Sequence, residues 1–533
     1  MLYIEDWQGS KESHHSIIPG LLVSVISLFF VACQLQTDSY HPIESVEAFS
    51  ELKAPEFVFN HRVIQKHLHA LSKSDHGYTE ADKRLREYYQ SDSLSTLWIN
   101  NYGVASRADT LLSYLYTVTE EGWTSKSFGL ASIERDMQRL RTLDFDQDVN
   151  SVNQVAARLE FLLTKAFLRY AYGQRFGFVN PHRLFNHLDA QKVDSTGKPV
   201  YYRGLFDIKM DLPGKSYVHR ALHKVKADSL GQYLRDIQPR SIYYQQMKEL
   251  LASATDSTER KRIICNMERG RWRMHQPINE DEKRIVVNIP SYHLYAYDAD
   301  SVLDMRVVCG AFKTKTPQLT SHVEWMEINP QWVIPMSILT NDVARHAGDS
   351  AYFARNHYRI FDKSTNQQVS IKSVSRAMLL SGKYRVAQES GSHNSLGRVV
   401  FRFKNNFSVF LHYTSNPSAF QRESRSLSHG CVRVAKPFEL AKFVLDNPDE
   451  WLLDRIGISM GFSPFTETGK QYVKQHSEEK EHKLIGYVPV KPRVPLYIIY
   501  NTLWPDETGV LKTWPDIYGY DQIIWKHLQT YMQ

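Results

Sequence analysis

The chain has 533 residues, 42% hydrophobic and 23% charged, which excludes a disordered or collagen-like polymer and leaves room for two to four domains. Lys and Arg outnumber Asp and Glu by 65 to 58, a net charge of +7 too mild over this length to argue for nucleic acid as partner. Four cysteines without a CxxC pair exclude a disulfide-stapled scaffold and a zinc ribbon, and no metal-ligand spacing or phosphate loop points to a metal or cofactor.

Ile17 to Ala32 is the only long apolar run, and it is shorter than the roughly 20 residues a spanning helix needs. It ends Phe30-Val31-Ala32-Cys33, which resembles a bacterial lipoprotein signal over residues 1–33, with Cys33 as the lipidated residue. The n-region is atypical, with Glu5, Asp6 and Lys11. An ordinary signal peptide or an uncleaved anchor fits the same run, and each reading puts the rest outside the cytoplasmic membrane. The lipoprotein reading implies a membrane partner through an N-terminal lipid anchor. Gln34, where an aspartate would favour the inner membrane, leans toward a periplasm-facing outer-membrane lipoprotein.

Residues 34–55 are polar and read as a linker. From 56 to 260 the pattern is mostly helical: Leu159, Leu162, Leu163, Ala166, Phe167 and Tyr170 share one helix face, and Thr110 to Val118 predicts another helix. Near 284 the period changes. Arg284–Pro290, His293–Asp298, Met305–Cys309, Val323–Asn329, Arg398–Phe403, Ser408–His412, Leu496–Tyr500 and the segment near Val510–Trp514 predict short strands. The fold class is α+β: a helical N-terminal scaffold, then a β-rich, sandwich-like domain over 261–533. Residues 340–386, polar and rich in Arg, Lys and Ser, read as an inserted lid.

One stretch carries chemistry: Ser428-His429-Gly430-Cys431-Val432-Arg433-Val434, with Phe410-Leu411-His412-Tyr413 upstream. A cysteine becomes a strong nucleophile when a neighbouring imidazole takes its proton. His412 ends an apolar strand, and Cys431 follows a glycine, where backbone can approach closely. A helix over Phe438–Leu445, opened by Pro437, would follow. Cysteine and histidine alone are weak evidence, since such pairs are commonly buried and inert. The longer pattern is more specific. His412 followed by Ser428-His429-Gly430-Cys431-x-Arg433 resembles the signature of L,D-transpeptidases with a YkuD-type catalytic domain. Asn266–Arg273, Asn329-Pro330-Gln331-Trp332-Val333-Ile334-Pro335 and Gln388, Gly391, Asn394, Leu396 and Gly397 resemble further segments of the long, YcbB-like branch in the same order. The sequence departs from that branch at Tyr413, where Asp or Ser is usual, and in the short Leu250–Ile264 stretch, too short for the wall-binding module often inserted there.

The resemblance implies peptidoglycan stem peptides as partners: a donor tetrapeptide and an acceptor diaminopimelate amine, joined in a 3→3 crosslink through a thioester on Cys431. No cofactor is needed, because the thioester conserves the donor bond energy. His412 would be base and then acid, and the N–H groups around Gly430 and Cys431 would form the oxyanion hole. His429 would contact substrate or brace the loop. Arg433 would pair with a substrate carboxylate. Tyr413, Trp332, Tyr384 and Asn394 are candidates for the donor groove, with Ser428 a loop-stabilising hydroxyl beside it. Cys265 and Cys309 read as buried thiols, with a disulfide between them left open. Hydrolysis, exchange or protein anchoring by the same machinery, and a non-catalytic wall-binding protein, stay open as alternatives. A papain-like protease does not fit, because there the cysteine precedes the histidine.

Overall fold

The computed structural model describes residues 57–531 apart from 92–94, 147, 215, 280, 300, 480 and 507. The signal segment, Cys33 and the linker lie outside the described residues. Among them no helix is long and apolar enough to cross a membrane.

The helical half is built around Val152–Phe176, which opens where Gln154 Oε1 accepts the Ser151 N–H at 2.9 Å and closes at Gly177, φ +87°. The periodicity predicts one apolar face, whereas this helix is buried on most sides. Helices His61–Ser74, Glu80–Tyr89 and Leu130–Thr142 pack around it. Its polar residues are tolerated inside because they are partnered. Glu160 accepts the N–H groups of Leu97 and Trp98 at 2.7 and 2.8 Å, and Thr164 Oγ1 accepts from Trp98 Nε1 at 2.9 Å. The helix expected at 110–118 starts earlier, at Arg107, runs to Tyr116 and tightens into a 3₁₀ turn that stops at Gly122, φ +85°. An exposed hairpin, Asp189–Val193 with Pro199–Arg203, interrupts the helices. It buries no apolar face, so alternation does not reveal it. Asp194 Oδ1 folds its turn by accepting the Thr196 and Lys198 N–H groups, both at 2.9 Å.

Helix Ser257–Arg271 joins the halves. Asn266 Oδ1 accepts the N–H groups of Thr502 and Leu503 at 3.1 and 3.2 Å, and Glu268 Oε1 accepts that of Val179 at 2.8 Å. Arg269 pairs with Asp521 at 2.7 Å, and Arg271, fully buried, with Glu121 at 2.7 Å. The polar run Asn266–Arg271 is therefore an internal strut whose side chains reach several different elements. Phe206–Asp207 adds a second link by pairing parallel with Gln318–Leu319.

The β-rich half forms a 10-stranded sheet. Its order is Val399–Phe403, Leu411–His412, Val432–Val434, Ser301–Gly310, His293–Asp298, Arg284–Asn288, Tyr487–Ile499, Gln318–Ile328 and Phe206–Asp207, with Ser426–Ser428 pairing beside Ser301–Gly310 off this path. Gln318–Ile328 pairs again with Val399–Phe403, with Met326 opposite Phe401, so the sheet closes into a ring rather than splitting into two layers. Residues 340–386 are not merely polar loop and helix. Tyr358–Asp362 and Tyr384–Gln388 are strands of a separate four-stranded antiparallel sheet with Trp332–Val333 and Gln368–Val369. It covers its own apolar core of Leu339, Val343, Phe353, Ile360, Leu379 and Val386. Arg359 and Arg385 interrupt the apolar run of these strands and mask them in the sequence.

Replacing Glu160 with alanine leaves two buried backbone donors without an acceptor. It is expected to cost about 2–4 kcal/mol and to lower the midpoint of urea unfolding followed by far-UV circular dichroism. An unchanged midpoint would show that those donors find other acceptors.

Candidate active site

His412 and Arg433 are register partners in the parallel pairing of Leu411–His412 with Val432–Val434. Residues two apart on an extended strand share a face, so Cys431 and Arg433 face the same way, next to Phe410 and His412. The Phe410 carbonyl accepts the Val432 N–H at 3.1 Å and locks the two segments at the cysteine itself. His412 is buried at 4% exposure, and Cys431 is half-buried with Sγ 4.0 Å from the Ser408 carbonyl oxygen. Cys265 and Cys309 are buried and unbonded to each other.

The turn that presents the thiol is held from three sides. Gly430 sits at φ +117°, where a side chain would strain the backbone. Ser428 Oγ accepts the Gly430 N–H at 3.1 Å and donates to the Cys431 carbonyl at 2.5 Å, and its own carbonyl accepts from Thr314 Oγ1 and Ala311 N–H at 2.8 and 2.9 Å. Thr316 Oγ1 donates to the Gly430 carbonyl and accepts the Gly310 N–H, both at 2.8 Å. Tyr518 hydroxyl accepts the Thr316 N–H at 3.1 Å and donates to the Gly310 carbonyl at 2.6 Å. Thr316 and Tyr518 escape a reading of the sequence because they lie more than a hundred and about ninety residues from the cysteine, respectively, in segments without a motif.

The resting electrostatics differ from the expected thiolate. Burial pushes the Cys431 thiol up to about 11, against the Phe410 N–H and the charges of Arg402 and Arg433, which favour the thiolate. Burial also drives His412 down to about 3, aided by Arg433 and Arg402 and opposed by the backbone of Leu396 and Tyr413. Those backbone groups approach without closing a hydrogen bond to Nδ1, which is buried and has no partner among the described residues. Both groups are thus neutral between about pH 3 and pH 11. Arg402 is a site residue that no motif marks. It is the one charged residue in the apolar strand Val399–Phe403, bonded to Glu327 at 2.8 Å and lying 4.5 Å over the Phe410 ring. That break in an apolar run is the signal that could have found it.

The remaining candidates separate. His429, 61% exposed, reaches toward Asp342 of the inserted segment, Nε2 to Oδ2 3.9 Å, which brings that segment to the thiol-bearing turn. Arg433 Nε is buried with no partner among the described residues. Gly430 does not offer its N–H to an oxyanion, because Ser428 takes it. Ser428 is buried with its hydroxyl fully engaged, so it braces the turn and does not line a groove. Asn394 is likewise fully buried: Nδ2 donates to the Pro330 and Glu389 carbonyls at 3.1 and 2.8 Å, and Oδ1 accepts the Leu396 N–H at 2.8 Å. It pins the loop beside His412. Trp332 and Tyr384 lie in the separate small sheet and pack on its apolar core. Tyr413 donates its N–H to the Val399 carbonyl at 3.1 Å, and its ring packs against neighbouring apolar residues. The helix after the cysteine spans Pro437–Val444.

Residues 282–457 match the YkuD family, an L,D-transpeptidase catalytic domain, and residues 83–251 match a family described as a scaffold domain. The protein therefore carries a YkuD L,D-transpeptidase catalytic domain behind a scaffold domain. A Haemophilus influenzae protein named "Putative L,D-transpeptidase" is 28% identical over 301 residues, which cover 54% of this chain and 55% of that protein. The match thus spans about half the length of that curated relative.

The rate of Cys431 alkylation by iodoacetamide, followed by peptide mass spectrometry, is expected to rise with a midpoint near pH 11, well above an ordinary thiol. Arg402→Gln removes a charge favouring the thiolate and is expected to move that midpoint higher; an ordinary midpoint in the parent protein would contradict the neutral resting pair. Thr316→Val keeps volume but removes both hydroxyl contacts. It is expected to cost about 1–3 kcal/mol in thermal unfolding and to change the Cys431 alkylation rate, although Thr316 does not touch the thiol.

Proposed function

We propose that this protein is a peptidoglycan L,D-transpeptidase that forms 3→3 crosslinks through a cysteine thioester, anchored in the cell envelope by a lipid on Cys33. The observation that supports the chemistry most is the register of His412 against the Cys431–Arg433 segment, in a domain of the L,D-transpeptidase family.

In the first half-reaction the Cys431 proton passes to His412, and Sγ attacks the carbonyl between diaminopimelate and the terminal D-Ala of a donor tetrapeptide. The carbon–nitrogen bond breaks, and the imidazolium gives its proton to the departing D-Ala amine. In the second, His412 takes a proton from the acceptor diaminopimelate amine, which attacks the thioester. The sulfur leaves and recovers the proton from His412. The Cys431 N–H is the donor left on the turn for the oxyanion once Gly430 is committed to Ser428.

The neutral resting pair gives Arg433 a defined part. Its charge opposes an imidazolium at His412. A diaminopimelate carboxylate bound to the guanidinium cancels that charge and lets the proton move only when donor is present. Water as acceptor, giving a carboxypeptidase, uses the same steps. Envelope placement rests on the signal-like segment before Cys33 and on the location of the polymer such a domain would act on.

Incubating the purified protein with disaccharide tetrapeptide tests the reading by mass spectrometry. The expected result is a covalent adduct on Cys431 with loss of D-Ala, followed by dimers lacking one D-Ala. Cys431→Ala is expected to abolish both. Adduct without dimers would make the protein a hydrolase, and no adduct would make it a binding protein. Arg433→Met is expected to raise the donor KM about tenfold or more, the loss of a charge-assisted contact. For the anchor, Cys33→Ser is expected to abolish labelling by a palmitate analogue in cells.

A further inference from the structure

His357, Glu389 and His393 converge where the inserted segment rejoins the ring of strands. Their ligand-capable atoms all lie within 4.8 Å of one another. The two imidazoles stack with centroids 3.6 Å apart, and His393 Nε2 is buried with no partner among the described residues. Glu389 is already oriented: Arg359 Nε holds Oε1 at 3.0 Å, and Oε2 faces His357 Nδ1 at 4.0 Å. Such bracing of a ligand carboxylate by a neighbouring donor is what metal sites use to fix ligand direction. The backbone is tied as well, with the Glu389 N–H donating to the His357 carbonyl at 3.1 Å.

We propose that these three residues form a divalent metal site of His₂Glu type, suited to zinc. Two imidazoles and one carboxylate are a borderline donor set that zinc accepts in tetrahedral geometry, with a fourth position open to water. Ligand atoms around tetrahedral zinc stand about 3.3 Å apart, for bonds of about 2.0 Å, so the site contracts and the stacked rings splay on binding. Half-exposed side chains leave that rotation free.

The position gives the site its consequence. His357 precedes strand Tyr358–Asp362 of the small sheet, whereas Glu389 and His393 belong to the loop that Asn394 pins and that ends beside His412 at Leu396. A bound ion ties the base of the inserted segment to this loop and reinforces the Gln388 Nε2 bond to the Asn356 carbonyl at 3.0 Å. Spacing hides the site in the sequence, because His357 stands 32 residues before Glu389.

The test is titration calorimetry of the metal-free, untagged full-length protein with zinc chloride, in a Cys431→Ser background so that the active-site thiol cannot bind the ion. One equivalent is expected to bind and to raise the thermal unfolding temperature. His393→Ala, Glu389→Ala and His357→Gln are each expected to weaken binding about tenfold or more, and cobalt(II) to give a tetrahedral visible band that those variants lose. His357→Gln lies at a 44% exposed side chain and tests the site even if the His393 variant misfolds. No binding at millimolar zinc, or binding that well-folded variants leave unchanged, overturns the proposal.

Discussion

The parallel pairing of Leu411–His412 with Val432–Val434 is the constraint on which the site rests. A parallel register cannot be set by a tight hairpin, so the intervening residues must cross over and return. Among them Arg425 is fastened to the ring, with Nε donating to the Val307 carbonyl and Nη2 to the Tyr292 carbonyl, both at 3.1 Å. Ser426 and Ser428 then pair with Cys309 and Gly310. By the time the backbone reaches Gly430, its direction and height above the sheet are fixed. A slip of one residue would turn Cys431 to the opposite face, away from the imidazole.

A site fixed this firmly can hold its reactive groups in an unfavourable setting. Burial raises the thiol and lowers the imidazole, and the two guanidiniums nearby favour the thiolate while opposing the imidazolium. The pair therefore stays uncharged at rest, in contrast to sites where a cysteine and histidine sit as a preformed ion pair. An uncharged thiol is slow to oxidise or alkylate.

The parts of this arrangement that are local are legible in the sequence. The run from Ser428 to Arg433, the strand ending in His412, the strands from Arg284 onward and the core helix around Leu159 all have their cause within a dozen residues. Failures trace to causes at a distance. Asn394 looks like a groove residue because a small polar side chain beside a nucleophile often touches ligand, yet its amide is spent on backbone carbonyls, among them that of Pro330, 64 residues away. Trp332 and Tyr384 pack, half-buried, against the core of the small sheet, whose strands the interrupting arginines conceal. Closure of the ring depends on Met326 meeting Phe401, which no local pattern encodes.

The same long-range logic explains why the segment that follows the catalytic motif matters. Tyr518 touches neither thiol nor imidazole, but its hydroxyl closes the loop that holds Thr316 against Gly430. Tyr518 is itself held by Tyr500, whose hydroxyl accepts the Tyr518 N–H at 2.8 Å and donates to Asp516 at 2.6 Å. Asp516 also accepts from the N–H groups of Tyr520 and Asp521, and Asp521 pairs with Arg269 on the strut between the halves. A continuous set of buried polar contacts thus runs from the helical half through the C-terminal helix to the cysteine turn. Such networks are costly when broken at any one member, since the remaining partners are left buried and unpaired. The scaffold and the catalytic ring are therefore parts of one physical unit, and the geometry at Cys431 depends on residues in both.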